Sequence, residues 1–265
     1  MKFNFGENWQ NFSKNINDSN LESAKKSLKE LSCNVDFKNK KFLDIGCGSG
    51  LSTIAASRLG SIITGFDENK IAVQTAKKNC RIFNAKQIRL IQGSILDSKF
   101  LLKLGKFDIV YSWGVLHHTG DLKKALNLTS TLVNKNGILI ISIYNDQGGT
   151  SKRWLKIKRF YNNSNKIRKF ILLLIIGFYF ELKFFIVRII NFKNPLPFDD
   201  WNKKKNERGM SVWYDLIDWV GGYPFEVSKP ENIFDFYKKK GFKLINLKTC
   251  GGGLGCNEFT FKKIS

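Results

Sequence analysis

Two carboxylates and three glycines carry the first readable chemistry. In Asp44-Ile45-Gly46-Cys47-Gly48-Ser49-Gly50 an acid stands just ahead of alternating glycines, and a second acid, Asp67, follows about 20 residues past them. Glycines at such a turn let the backbone reverse sharply and let a ligand lie against it without a Cβ in the way. An acid at the distal position suits ribose hydroxyls. A dinucleotide pyrophosphate needs a free helix N-terminus and no nearby anion. Asp44 repels a pyrophosphate and suits a cationic nucleoside instead.

A second group lies in Ser112-Trp113-Gly114-Val115-Leu116-His117-His118. A histidine with an unperturbed pKa of about 6.5 serves as a general base for a hydroxyl acceptor. His117 and His118 are candidates for that role, beside a reading in which one of them only caps or packs the turn. Being adjacent, they point apart on a helix and do not chelate one ion. Residues 112–119 hold no acid, and the five cysteines show no metal-ligand spacing, so no metal is expected. Further on, Arg208, Tyr214, Asp215 and Tyr223 combine charge and hydroxyls around Gly221-Gly222-Tyr223-Pro224. Arg208, Tyr214 and Tyr223 are candidate acceptor contacts, and Asp215 a candidate catalytic acid.

These residues need elements to hold them. Apolar runs predict strands at 41–46, 61–66, 87–92, 107–112 and 137–144, alternating with helices at 50–59, 69–83, 97–104 and 121–134. That alternation predicts a parallel sheet with helices on both faces and a ligand at the carboxyl ends of its strands. Residues 212–220 and 231–240 predict two further helices, and Phe242–Thr249 with Glu258–Lys263 a closing hairpin. Ahead of the sheet, Phe3, Phe5, Trp9 and Phe12 cluster around Gly6. These rings either face a ligand or pack on the sheet edge.

Residues 151–208 interrupt the alternation. They hold 15 Lys/Arg against 4 Asp/Glu, roughly half of a net charge of +22. Within them Phe170 to Phe180 is continuously apolar. That run is shorter than the roughly 20 residues of a transmembrane helix. It reads as a lid packed on its own domain, or as a helix in a membrane interface whose flanking cations meet anionic headgroups. The overall basicity also fits a Lys/Asn/Ile-rich compositional bias. The absence of an apolar segment in residues 1–10 and the cysteine pattern predict a reduced, cytoplasmic chain, peripheral at the inner membrane face in the second reading.

The strand, the D-x-G-x-G-x-G turn and the distal acid resemble motif I of the bacterial class I S-adenosylmethionine-dependent methyltransferases. The segment from Arg208 to Glu226 is similar to that of a subgroup resembling the polyprenyl-hydroxyphenyl and ubiquinone methylases. The resemblance implies a Rossmann-like α/β fold with a seven-stranded sheet, mostly parallel with a closing antiparallel hairpin. It implies a helical cap (1–40), a cofactor-binding core (41–150) and the rest of the core (209–265), with residues 151–208 departing from the family core as an inserted helical lid. It implies S-adenosylmethionine at Asp44, Gly46, Cys47, Gly48, Gly50 and Asp67, with Ser94, Ile95 and Trp113 completing the pocket. Ser94 stands where the family commonly has an acid. The implied activity is methyl transfer to an oxygen of a small or lipid-linked acceptor such as a polyprenyl phenol. A saccharide or glycolipid is the alternative acceptor. The post-strand segment lacks the Asp/Asn-Pro-Pro-aromatic motif and the nucleophilic cysteine of nucleic-acid-directed relatives. An RNA methyltransferase or a non-catalytic binding protein is the remote alternative.

Overall fold

The computed structural model describes residues 3–13, 16–198, 200–201 and 212–264. Two helices, α1 (Phe5–Ser13) and α2 (Asp18–Leu31), precede β1 (Lys41–Ile45). The chain then runs α3 (Leu51–Arg58), β2 (Ile62–Asp67), α4 (Lys70–Ile82), β3 (Ile88–Gln92), α5 (Ser98–Leu102) and β4 (Phe107–Trp113). A short turn at Leu116–His118 leads to α6 (Leu122–Thr131) and β5 (Val133–Tyr144). After it come α7 (Gly149–Asn163), α8 (Lys166–Ile190), α9 (Val212–Gly221), α10 (Pro230–Lys238), β6 (Phe242–Lys248) and β7 (Cys256–Lys263).

The strands form one seven-stranded sheet in the order β3-β2-β1-β4-β5-β7-β6. The first five are parallel, and β7 runs antiparallel to both β5 and β6. The order reverses between β1 and β4, so their carboxyl ends flank the crevice where open α/β sheets bind ligands. Side chains alternate along β1. Leu43 and Ile45 enter a core with Val110, Leu139, Ile141 and Phe259, and Phe42 enters the opposite one with Ile63, Ile109 and Ile140. Fully burying each such side chain contributes about 1.5–3 kcal/mol. The same alternation puts Asp44 on the Phe42 face, beneath α3.

Most element ends shift by one to three residues from the sequence expectation, and two differences are larger. β5 begins at Val133 rather than 137, because Val133 pairs with Phe107 across a register irregularity, and Asn136 takes φ +63°. A Lys-Asn-Gly stretch inside a strand gives no apolar signal for that. α8 is 25 residues long, because Asn165 caps it through the Arg168 N–H, and Glu181, Lys183 and Arg188 are accommodated without a break. Its length therefore exceeds that of the apolar run and is enough to cross a membrane, with mean hydropathy 2.3. α7 and α8 join α9 through a cluster of Trp154, Tyr161, Leu173, Ile176, Val220 and Phe225. Ser211, a candidate cap for α9, lies outside the described residues.

Candidate active site

The turn after β1 is built for close approach. Gly46 has φ +72°, and a Cβ there would stand 2.5 Å from the Val115 side chain. Gly48 has φ +52°, and its Cβ position lies 3.2 Å from the Trp9 ring of α1. The turn is pinned by the Gly46 and Cys47 N–H groups, which donate to the Phe66 carbonyl at 2.8 and 3.0 Å. Asn79 of α4 donates to the Ser49 carbonyl at 2.8 Å.

Asp67 ends β2 with both carboxylate oxygens engaged by backbone. Gly48 N–H donates at 3.1 Å and Asn69 N–H at 2.8 Å. Burial raises its pKa, and those two bonds oppose the rise. Asn69 caps α4, and its Nδ2 donates to Asn4 Oδ1 at 3.0 Å, which ties the segment ahead of α1 to the loop after Asp67. Asp44 is buried and accepts a 2.6 Å bond from Thr53 Oγ1. Burial pushes its pKa up to about 7, against the lowering effect of the Thr53 bond. Burial also raises the Cys47 thiol.

Asp44, Gly46, Cys47, Gly48, Asp67 and Asn69 line one end of a cavity of about 1970 Å³ that includes Ser94, Ile95 and Trp113 in its wall, while Gly50 stands off it against Ala76 of α4. Ser94 Oγ accepts from Leu96 N–H at 3.3 Å. The Trp113 indole N–H donates to Glu258 of β7 at 2.8 Å, so this ring is held toward the closing hairpin. The other end of the cavity is largely aromatic and apolar, with His118, Tyr144, Trp219 and Tyr223 facing Leu173 and Gly177 of α8, and Glu181, Asp215 and Asp218 also in its wall.

The two histidines part. His118 lines the cavity. Its Nδ1 lies 2.6 Å from the Pro224 carbonyl, which only accepts, so Nδ1 carries the proton and Nε2 is left unprotonated. Burial lowers its pKa to about 3. His117 lies behind the cavity wall, fully buried, and its Nδ1 accepts from Tyr144 N–H at 3.3 Å. Burial, His118 and Lys158 hold its pKa well below the usual range. Asp215 and Tyr223 line the cavity, whereas Tyr214 does not, and Arg208 lies outside the described residues. Among the described residues no group of His, Cys, Asp or Glu side chains is placed to hold a metal ion.

The sequence reading missed Thr53, Tyr144 and Lys158. Tyr144 was findable, because it ends a strand at the sheet's carboxyl edge. Lys158 of α7 is fully buried, donates from Nζ to the Trp219 carbonyl, and lies 4.7 and 4.8 Å from the Trp219 and Phe225 rings. One lysine in a lysine-rich helix carries no signal of that burial.

A sheet of this order with a glycine turn at β1 and an acid ending β2 is that of the class I methyltransferases, whose cofactor is S-adenosylmethionine. The model of the family described as "Methyltransferase domain" matches residues 36–208, and the chain belongs to that family. The chain is 34% identical over 125 residues to a ubiquinone biosynthesis O-methyltransferase of Pelagibacter ubique, covering 47% of this chain and 50% of that protein. It is 31% identical over 137 residues to a ribosomal protein L11 methyltransferase of Clostridium botulinum, covering 48% and 42%. It thus spans about half the length of the curated relatives it matches. Among solved structures, the magnesium protoporphyrin IX methyltransferase of Synechocystis PCC 6803 with bound SAH superposes at TM-score 0.55. The identity is 15%, over 94% of this chain and 86% of that one.

Proposed function

We propose that this protein transfers a methyl group from S-adenosylmethionine to an oxygen of a small or lipid-linked acceptor such as a polyprenyl phenol. One observation carries the reading: a single cavity joins the turn at Asp44–Ser49 and Asp67 to a largely aromatic and apolar chamber around His118. The named ubiquinone biosynthesis relative supports an oxygen acceptor of that kind.

The residues fit the cofactor. The glycine turn is a cradle that a Cβ at Gly46 would crowd. Asp67 accepts the ribose hydroxyls, held for that task by the Gly48 and Asn69 N–H groups. Asp44 supplies negative character beneath the turn, and Gly46, Cys47 and Gly48 give the floor, whereas Gly50 makes the turn itself close against Ala76 of α4. Ser94 and Ile95 border the adenine, and Trp113 borders the chamber. The bound cofactor supplies an electrophilic methyl on a sulfonium.

The chain's own work is alignment, exclusion of water and removal of one proton. His118 Nε2 takes the acceptor's hydroxyl proton, with the Pro224 carbonyl fixing the tautomer. His117 holds the start of the Tyr144 backbone behind it and positions rather than touches the acceptor. Asp215 and Tyr223 border the acceptor; Tyr214 lies off the cavity wall and takes no part in the reading. Helices α7 and α8 form the lid over the chamber, and α1 and α2 the cap over the cofactor, where Trp9 lies on Gly48.

The test is calorimetry with S-adenosylmethionine, with NAD as control, followed by radiolabelled methyl transfer to a short-chain prenylated catechol. Binding of the first alone and labelling of the catechol oxygen are expected. A preference for NAD, or binding without transfer to any phenol, sinks the reading.

A further inference from the structure

We propose that α8 lies in a membrane interface, so that the acceptor enters the cavity from the lipid rather than from water. This deepens the lipid-linked acceptor reading and rests on it.

The helix shows a face with no protein to cover it. Ile167, Ile171, Ile175, Leu182, Phe185 and Ile189 recur at intervals that put them on one side, none lines the cavity, and each is exposed, Ile167 to 71%. No charged residue falls on that stripe. The helix's apolar stretch is only 11% buried. Past its end, Phe192 is 99% exposed, and Leu196, Phe198 and Trp201 are also open. A patch of this kind on a folded chain marks a partner.

Three observations make that partner a bilayer surface. The first is charge. Lys152, Arg153, Lys156 and Arg159 of α7 and Lys166, Arg168 and Lys169 at the start of α8 run up to the stripe in the sequence, and all but the half-buried Lys169 are exposed. Cations beside an apolar face suit anionic headgroups. The second is how the helix treats its own charges. Arg188 is buried, donates from Nε to Asp200 at 2.7 Å and from Nη1 to the Pro195 carbonyl at 3.2 Å, and lies 3.7 Å from Glu181. Glu181 also accepts from the Trp201 indole at 2.9 Å. Charges paired in this way are tolerated beside hydrocarbon, whereas Lys183 and Lys193 have stems long enough to reach water.

The third is topology, which excludes a crossing. β5 precedes α8 and β7 follows it, and the two are hydrogen-bonded along Ile138–Tyr144. A single crossing would set them on opposite sides. The segment between α8 and α9 carries Lys193, Lys203, Lys204, Lys205 and Arg208, so it supplies no second apolar span. The helix therefore lies along the interface. Its inner face, with Leu173, Gly177 and Phe180, walls the same cavity that Asp44 and Asp67 line. Gly177 sits close against α9, where a Cβ would meet Leu216 at 3.1 Å. A lipid held by the outer face is thus one helix thickness from the reacting chamber.

The experiment is flotation of the full chain with vesicles of 70:30 phosphatidylcholine to phosphatidylglycerol, alongside sedimentation without lipid. The wild type is expected to float. The variant Ile171→Glu/Leu182→Glu/Phe185→Glu, whose sites lie outside the cavity wall, is expected to float at least tenfold less while binding S-adenosylmethionine as before. Phe192→Glu, at a fully exposed residue, gives a milder loss and keeps the test readable if the triple variant does not fold. Wild type that stays at the bottom, or variants that float equally, overturn the proposal. So does a wild-type dimer that the variants split, since a second copy would then cover the stripe. Flotation without S-adenosylmethionine binding would sink the functional reading and leave the membrane surface standing.

Discussion

Thr53 Oγ1 of α3 donates a 2.6 Å hydrogen bond to Asp44 Oδ2 of β1, and both side chains are sealed from solvent. This bond closes the strand–turn–helix unit from below. Burial still dominates and leaves the Asp44 pKa at about 7. A carboxyl whose folded pKa lies above its unfolded value binds its proton more tightly when folded. Its stabilising effect is present in acid and fades as pH rises through about 7, at up to about 1.4 kcal/mol per pH unit. Asp44→Asn keeps the shape and removes the ionisable group. The variant should melt higher than wild type at pH 8 and show no such gain at pH 4, while its affinity for S-adenosylmethionine falls at least tenfold. Melting curves at the two pH values with calorimetry at pH 8 check both parts. Equal melting differences at both pH values would refute the titration account.

Asp67 carries two backbone hydrogen bonds beside the ribose contact proposed for it. Removing it leaves the Gly48 and Asn69 N–H groups without their acceptor, at a cost of about 0.5–1.5 kcal/mol each. Asp67→Ala should therefore lose cofactor affinity by tenfold or more and also lower the urea midpoint. Asp67→Asn retains one carbonyl acceptor, so it should recover much of the stability and little of the affinity. A variant that binds normally would remove Asp67 from the ribose.

His118 is held neutral by burial, with a pKa of about 3. A base with a depressed pKa stays competent as pH falls until that value is approached. The rate should be flat between pH 5 and 8 rather than falling through 6.5, the ordinary histidine value. His118→Ala should lower kcat by about 10²–10⁴ with cofactor affinity unchanged. A wild-type rate that halves near 6.5 would point to another base.

The cavity end proposed for the cofactor is legible because its residues are nearly consecutive. Asp44 through Gly50 and the acid ending β2 lie on runs whose apolar pattern also marks the strands. The acceptor half is not, because it is assembled from β5, α8, α9 and the turn after β4, which meet only in the fold. Adjacent letters hid that His118 enters the cavity while His117 turns behind it, since a short turn separates neighbouring side chains by large angles. Trp113 sits on the expected wall, but its bond to Glu258 depends on β7, 145 residues away. The extent of α8 was obscured by three charges inside it, one of which, Arg188, is neutralised by partners brought in from residues 195–200.

Lys158 offers a way to measure how the insertion acts on the site. Burial lowers its pKa to about 7, with Asp218 opposing the fall. The unfolded chain keeps this amine protonated up to about 10.5. Between those values the unfolded state binds the extra proton, so stability rises with pH across that window. Lys158→Met keeps the stem's volume and removes the proton. The stability difference between wild type and variant should therefore move in favour of wild type from pH 7 to pH 9.5, read as urea midpoints. The same charge lowers the pKa of both histidines. Without it His118 should be easier to protonate, and the acid limb of the pH–rate profile should shift upward. Lys158→Arg retains a cation and should keep the limb near its wild-type position. If the limb stays put in Lys158→Met as well, the lysine serves only to hold the Trp219 carbonyl at the end of α9.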